Sequence, residues 1–130
     1  MPLVRFDLNR GRSPEEIQQI LDITQSVVVN AFGVPVRDRY QIVHQHGPGE
    51  MIIEDTGLGI ARSDKVVVIS IVSRTRTIDQ IRKFYHDLAT ALDDSGLVTP
   101  NDLMINITFN SDQGWSFGNG RGQFIEGDFA

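Results

Sequence analysis

The chain is predicted to be an α/β (α+β) domain in which two consecutive βαβ units form a mainly parallel four-stranded sheet with two helices on one face. Three observations predict it. Apolar runs of strand length alternate with longer segments of helical periodicity. Both helical segments open on a capping box and close on a glycine with a proline beyond it. The order strand–helix–GVP–strand then returns as strand–helix–GLVTP–strand, with the right-handed crossovers such units require.

Residues 3–8 (LVRFDL) alternate apolar and charged positions and read as a strand. Asn9-Arg10-Gly11-Arg12 breaks it. Ser13 can cap the next helix, Pro14 fits its first position, and Glu16 completes the capping box. Ile17, Ile20, Leu21, Thr24, Val27, Val28 and Ala31 follow the rhythm of one buried helix face, which Gly33 and Pro35 end. Residues 40–46 (YQIVHQH) make a second strand. The Gly-rich connector 47–64 carries a short strand or hairpin around Met51, Ile52 and Ile53. Residues 65–73 (KVVVISIVS) are too continuously apolar for a half-exposed strand, which predicts a central, parallel one. Thr77 and Gln80 frame the second capping box, and Ile78, Ile81, Tyr85, Leu88 and Leu92 mark the buried face of its helix. Ser95-Gly96 stops that helix, and residues 103–109 (LMINITF) close the sheet. Residues 1–130 are therefore one domain, with a pseudo-repeat over 1–60 and 61–110 and a Gly-rich aromatic tail over 111–130. With both helices on one face, the opposite face is expected to be bare and apolar, and covered by oligomerisation.

A chain of 130 residues buries roughly two-thirds of its unfolded surface, enough to fold without staples. It has no cysteine, which excludes disulfides, thiolate nucleophiles and cysteine-bound metal clusters. Twelve Lys and Arg against seventeen Asp and Glu give a net charge of −5, which argues against nucleic-acid binding through phosphate neutralisation. The longest apolar stretch, residues 66–72, is too short to cross a bilayer, and residues 1–10 lack an apolar signal core. A cytoplasmic protein without membrane or nucleic-acid partners is expected.

Few residues invite chemistry. Gly118, Gly120 and Gly122 resemble a phosphate loop only in their glycines, because no strand–turn–helix surrounds them. His44 and His46 share one side of a strand, but without a further ligand at a usual spacing no metal is expected. His86, beside Asp87, reads as a solvated surface residue. Arg74 and Arg76 stand two apart at the carboxyl end of the most buried strand, so both guanidinium groups point the same way. Two such forks before a helix start suit a planar carboxylate. They could equally be solvated charges, or pair with Asp79 or Asp102. Pro2 follows the initiator methionine, a context in which the initiator is normally removed. The freed ring nitrogen would be a secondary amine held rigidly at the start of a strand, although many chains begin Met-Pro for no catalytic reason.

Together these features resemble the tautomerase superfamily, whose members are built from βαβ units and use an amino-terminal proline at the sheet edge. The resemblance covers nearly the whole chain and is greatest to malonate semialdehyde decarboxylase. That family combines the terminal proline with an aspartate after the first helix and two arginines one residue apart. Pro2, Asp38, Arg74 and Arg76 fit these places. Trp115, Phe117, Phe124 and Phe129 stand in the order of its apolar wall, though aromatics here could instead pack a trimer. The related cis-3-chloroacrylate dehalogenases carry a first-helix histidine where this chain has Val28 and Val29, and their tail glutamate is not clearly matched near Gly114-Trp115. Macrophage-inhibitory-factor-like proteins carry a Cys-x-x-Cys pair that this chain cannot have.

The resemblance implies a carbon–carbon lyase that needs no cofactor and no metal. It would decarboxylate a small anionic 3-oxo acid (malonate semialdehyde to acetaldehyde and carbon dioxide) and work as a homotrimer. Pro2, Asp38, Arg74 and Arg76 would be catalytic. Arg74 and Arg76, with Trp115, Phe117, Phe124 and Phe129, would bind substrate, and Tyr40 would be a donor behind Asp38. A carboxylate such as Asp38 beside the amine would raise its pKa and keep it protonated, which suits polarising a carbonyl better than shuttling a proton. An iminium between Pro2 and the aldehyde is a second route to the same product. Two alternatives stand beside this reading: a keto–enol tautomerase of 2-oxo acids of the phenylpyruvate type, and a non-catalytic anion-binding trimer.

Overall fold

In the computed structural model, which describes residues 1–129, the chain runs through β1 (Leu3–Asn9), α1 (Pro14–Phe32), β2 (Tyr40–His46), β3 (Val67–Arg74), α2 (Ile78–Asp94) and β4 (Leu103–Asn110). Single turns of 3₁₀ helix lie at Pro100–Asp102 and Asp112–Gly114. Both capping boxes form. Ser13 Oγ accepts the Glu16 amide at 3.1 Å while Glu16 Oε1 accepts that of Ser13, and Thr77 and Gln80 repeat the exchange at the head of α2. Gly33 closes α1 in the left-handed region at φ 66°, returning its N–H to the Val29 carbonyl.

The strand order is β2-β1-β3-β4. Each βαβ unit contributes a parallel pair, β1 with β2 and β3 with β4, but the two units meet antiparallel where β1 pairs with β3. The apolar run of β3 is central, as expected, yet parallel to only one neighbour. Continuous apolarity reports a central place in the sheet and carries no information about strand sense. The antiparallel seam decides where the chain begins. Leu3 lies opposite Val72, so Pro2 follows in register opposite Ser73, at the carboxyl end of β3. Leu3 also lies opposite Tyr40, which brings the approach to β2 to the other side of the same point.

One sheet face is packed by both helices. Val4, Phe6 and Leu8 of β1 and Val67, Ile69 and Ile71 of β3 meet Ile20, Val27, Val28 and Ala31 of α1, with Phe84, Leu88 and Leu92 of α2 completing the core. The α2 stripe is rotated from the expected one. Phe84 is fully buried, whereas Ile78 is 69 % exposed in the first turn and Tyr85 is exposed. The spacing 81, 84, 88, 92 fits the helical period as well as 78, 81, 85, 88, 92 does, and packing against Phe32 (ring centroids 5.0 Å apart) selects the first. The other face is uncovered in this chain but not uniformly apolar. By strand alternation Arg5, Asp7, Asn9, His44, His46, Ser70 and Asn106 share it with Leu3, Ile42, Val68, Val72 and Met104.

No strand forms around Met51–Ile53. The connector is instead fastened by side chains. Asp55 accepts the amides of Gly57 and Ile60, Arg62 donates to the carbonyls of Glu54 and Asn101, and buried Asp102 accepts both the amide and the hydroxyl of Ser63.

Candidate active site

The register gathers the candidate residues at one end of the sheet, where β1 and β2 begin and β3 and β4 end. Arg74, Thr75, Arg76, Asn110, Ser111, Asp112, Gln113 and Ile125 line a cleft of about 700 Å³ there. Pro2 is fully buried beside it, and Met1 is present in this structure, so the Pro2 nitrogen is an amide and the free amine is that of Met1.

Arg76 is fixed from several directions. Its Nε donates to Ser73 Oγ at 3.1 Å, its guanidinium lies 5.0 Å over the Phe32 ring, and Nη1 reaches the Phe32 carbonyl at 3.4 Å. Ser73, wholly buried, donates in turn to the Arg74 carbonyl. Arg76 Nη2 and Asp38 Oδ2 are both buried without a hydrogen-bond partner. A buried donor and a buried acceptor without protein partners, both acting electrostatically on one amine, are unusual in a folded protein and call for a partner from outside the chain, water or ligand. Burial, with the positive charge of Arg74 next, lowers the Arg76 pKa, while Asp38 opposes that shift.

Arg74 is held differently. Its Nε lies 2.7 Å from Asp112 Oδ1, with both side chains about half exposed, and its guanidinium sits 4.6 Å over the Phe124 ring. Asp79 and Asp102 are not its partners. Asp112, on the turn after β4, supplies an acid in the tail that the sequence pattern did not single out, because a lone aspartate among glycines carries no periodic signal.

The aromatic residues form one cluster. Trp115 stacks on Phe117 with centroids 5.6 Å apart, Phe117 meets Phe124 and Phe129 edge-on, and Phe124 and Phe129 are 4.8 Å apart. Arg74 over Phe124 joins this cluster to the basic pair. Tyr40 also joins it, stacking on Phe117 at 5.8 Å. Trp115 Nε1 donates to Asn110 Oδ1, which ties the start of the tail to the end of β4.

Four charges act on the terminal amine. Burial and Arg76 lower its pKa most, Arg74 adds to them, and Asp38 and Asp112 oppose them, leaving the Met1 amine at about 6 against its usual 8.0. A carboxylate is therefore present beside the amine, but in this form of the chain the guanidinium groups and desolvation outweigh it.

The two histidines of β2 do share a side. His46 Nε2 lies 2.7 Å and His44 Nδ1 3.8 Å from Asp7 Oδ1, at the opposite end of β1 from the amine. No group of three His, Cys, Asp or Glu among the described residues could hold a metal ion. His86 is exposed beside Asp87. Gly118 and Arg121 face each other across a tail turn that leads into no helix.

Two models of a tautomerase enzyme family match the chain, one over residues 38–118 and the other over residues 2–61. Probable tautomerase YrdN of Bacillus subtilis (strain 168) is 46% identical over 127 residues, covering 98% of both chains. Probable tautomerase YusQ of the same organism is 30% identical, covering 97% of this chain and 100% of its own. Among solved structures, a malonate semialdehyde decarboxylase with decarboxylase and hydratase activities superposes with a TM-score of 0.94 at 46% identity, covering 98% of this chain and 99% of its own. The FG41 malonate semialdehyde decarboxylase inhibited by 3-bromopropiolate gives 0.93 at 37% identity, covering 98% of both. Similarity of this extent, spanning both βαβ units and the tail, establishes that the chain belongs to the tautomerase family of enzymes.

Proposed function

We propose that the chain is a decarboxylase of a small 3-oxo acid, malonate semialdehyde in the first instance, acting through Pro2 once Met1 has been removed. The observation that carries this reading is the convergence of two guanidinium groups and a carboxylate on the Met1 amine, one residue from the Pro2 nitrogen, with Arg76 Nη2 and Asp38 Oδ2 left unpartnered. The two decarboxylases of similar structure support it.

Arg74 and Arg76 grip the substrate carboxylate. Protonated Pro2 donates a hydrogen bond to the aldehyde oxygen. As the carbon–carbon bond breaks, its electron pair flows toward that oxygen, carbon dioxide departs, and the enolate is stabilised until carbon is protonated to give acetaldehyde. Arginine binding alone would favour the ground state and slow this departure. The wall of Trp115, Phe117, Phe124 and Phe129 offsets that by keeping the carboxylate poorly hydrated and out of the carbonyl plane. Asp38 holds the proline proton in place. The chain is proposed to act as a homotrimer in which further copies cover the uncovered sheet face.

A second reading is favoured by one observation: the amine pKa is depressed to about 6 with Met1 present. A neutral Pro2 in the same field would be a base, suited to keto–enol tautomerisation of a 2-oxo acid. Mass spectrometry of the intact chain establishes whether Met1 is gone. Turnover is then compared on malonate semialdehyde and phenylenolpyruvate, for the parent and for Pro2→Ala. Decarboxylation lost in Pro2→Ala supports the first reading, tautomerisation alone supports the second, and equal activity with and without Pro2 removes both. Asp38→Asn is expected to lower kcat more than KM, and an unchanged rate would remove the role given to Asp38.

A further inference from the structure

We propose that Gln25 is a positioning residue that sets Asp38 beside the terminal amine. Gln25 lies at mid-length in α1 and is only 5 % exposed, on a helix face otherwise buried through Ile20, Thr24, Val28 and Ala31. Its Nε2 leaves the core and donates to two backbone carbonyls of the following loop, Val36 at 2.9 Å and Asp38 at 3.3 Å. A buried amide spending its donors on a loop rather than on its own helix fixes where that loop runs.

The loop has little else to fix it. It leaves α1 through the left-handed Gly33, is anchored in the core at its start by buried Val34, turns with the Asp38 amide on the Pro35 carbonyl, and exposes Val36 (71 %), so apolar packing holds its beginning and not the approach to Asp38. Two further contacts from α1 fall just beyond Asp38. Arg39 pairs with Asp22 at 2.7 Å and Gln41 donates to the Leu21 carbonyl. The first is an exposed ion pair, which contributes little. The second lies inside β2, whose ladder already holds it. Of these contacts from α1, it is that of Gln25 that reaches the Asp38 carbonyl itself, and it does so out of water, where a lost hydrogen bond is felt most.

The consequence lies in the Asp38 carboxylate. It is buried, its Oδ2 has no partner, and its charge raises the pKa of the terminal amine against burial and the two arginines. With no side-chain bond to anchor that oxygen, its distance from the amine is set by the backbone, and hence by Gln25. This inference assigns Gln25 a role through Asp38, and its catalytic part rests on the function proposed above. Its electrostatic part does not, because the amine senses Asp38 whatever the reaction.

The test is therefore read first on the amine. The N-terminal nitrogen is titrated by NMR in the parent, Gln25→Met, Asp38→Asn and the double variant, with thermal melting to verify the fold. Gln25→Met keeps the length and removes the donor. Gln25→Leu, which also removes the donor and adds no charge, is read in the same way, so a fold lost in one variant does not remove the test. The expected result is that Gln25→Met lowers the amine pKa in the same direction as Asp38→Asn, and that adding it to Asp38→Asn lowers it no further. An amine that responds to Asp38→Asn but not to either Gln25 variant overturns the inference, as does full additivity. If the chain decarboxylates, Gln25→Met also lowers kcat by about tenfold with KM unchanged, since the arginine grip is untouched. Absence of turnover in the parent would remove the proposed function and leave the titration standing.

Discussion

Arg74 and Arg76 carry the same charge two residues apart, and the structure holds them by different means. Arg76 is locked by Ser73, the Phe32 carbonyl and the Phe32 ring, so it loses little freedom when a carboxylate arrives. Arg74 is paired with Asp112 and must share its charge with any substrate. Removing either guanidinium to Ala is expected to cost about 1.5–3 kcal/mol of transition-state binding, with Arg76→Ala at the upper end. Steady-state kcat/KM measures it, and equal turnover in Arg76→Ala would mean the substrate lies elsewhere. The terminal amine gives a second expectation. With Met1 present its pKa falls from 8.0 in the unfolded chain to about 6 on folding. Between those values the unfolded state holds more protons, so stability rises as pH climbs from 6 to 8 and the contribution is lost on acidification below 6. Urea midpoints across that range, compared with a chain acetylated at Met1, should show the rise in the free-amine chain alone.

Capping boxes, helix ends and the duplicated βαβ order could be read from the residues because each depends on chemistry local in sequence. Ser13 and Glu16 need only each other, and so do Thr77 and Gln80. The sense of the β1–β3 pairing could not be read, since an apolar strand buries equally well beside a parallel or an antiparallel neighbour. That seam is nonetheless what assembles the candidate site. A β1 running parallel to β3 would leave the amine about 20 Å from Arg74, a strand's length away. Pro2, Asp38, Arg74 and Arg76 were legible as residue types at suggestive places, whereas Gln25 and Asp112 were not, because their meaning lies in partners brought by tertiary structure. Thr77 couples the legible part to the other. It caps α2 directly after Arg76, so losing its hydroxyl frays the turn from which Arg76 projects. Thr77→Ala is expected to cost about 1 kcal/mol of stability, read as a lower urea midpoint. It should also raise KM, whereas Ser13→Ala, with the same capping loss at the far end of the sheet, should shift the midpoint and leave KM alone.

At the scale of the whole molecule, the unpaired surface is the unfinished part of the structure. One sheet face has helices and the other has none, and the connector after β2 exposes Ile52 (81 %) and Leu58 (74 %) with no regular structure around them. Scattered exposed apolar residues are ordinary on a folded surface, so exposure alone decides nothing. Here, however, the uncovered sheet face sets apolar Leu3, Val68 and Val72 together beside Arg5 and Asp7, an apolar patch rimmed by charge of the kind a partner surface buries. A homotrimer would cover such a face and give the connector something to pack on. Because Ile52 and Leu58 touch little within one chain, changing both to Asp should alter the stability of a single chain by no more than about 0.5 kcal/mol each. Buried in an interface, the same carboxylates would be desolvated without partners and would weaken assembly strongly. Light scattering should give three times the mass of one chain for the parent, and a smaller mass for Ile52→Asp/Leu58→Asp at the same concentration, with a cooperative melt retained in both. Assembly would further make the parent's melting temperature rise with protein concentration, since mass action stabilises whatever binds only the folded state. A parent that scatters as one chain, with a melting temperature independent of concentration, would mean that this face meets solvent and that the site is complete within a single chain.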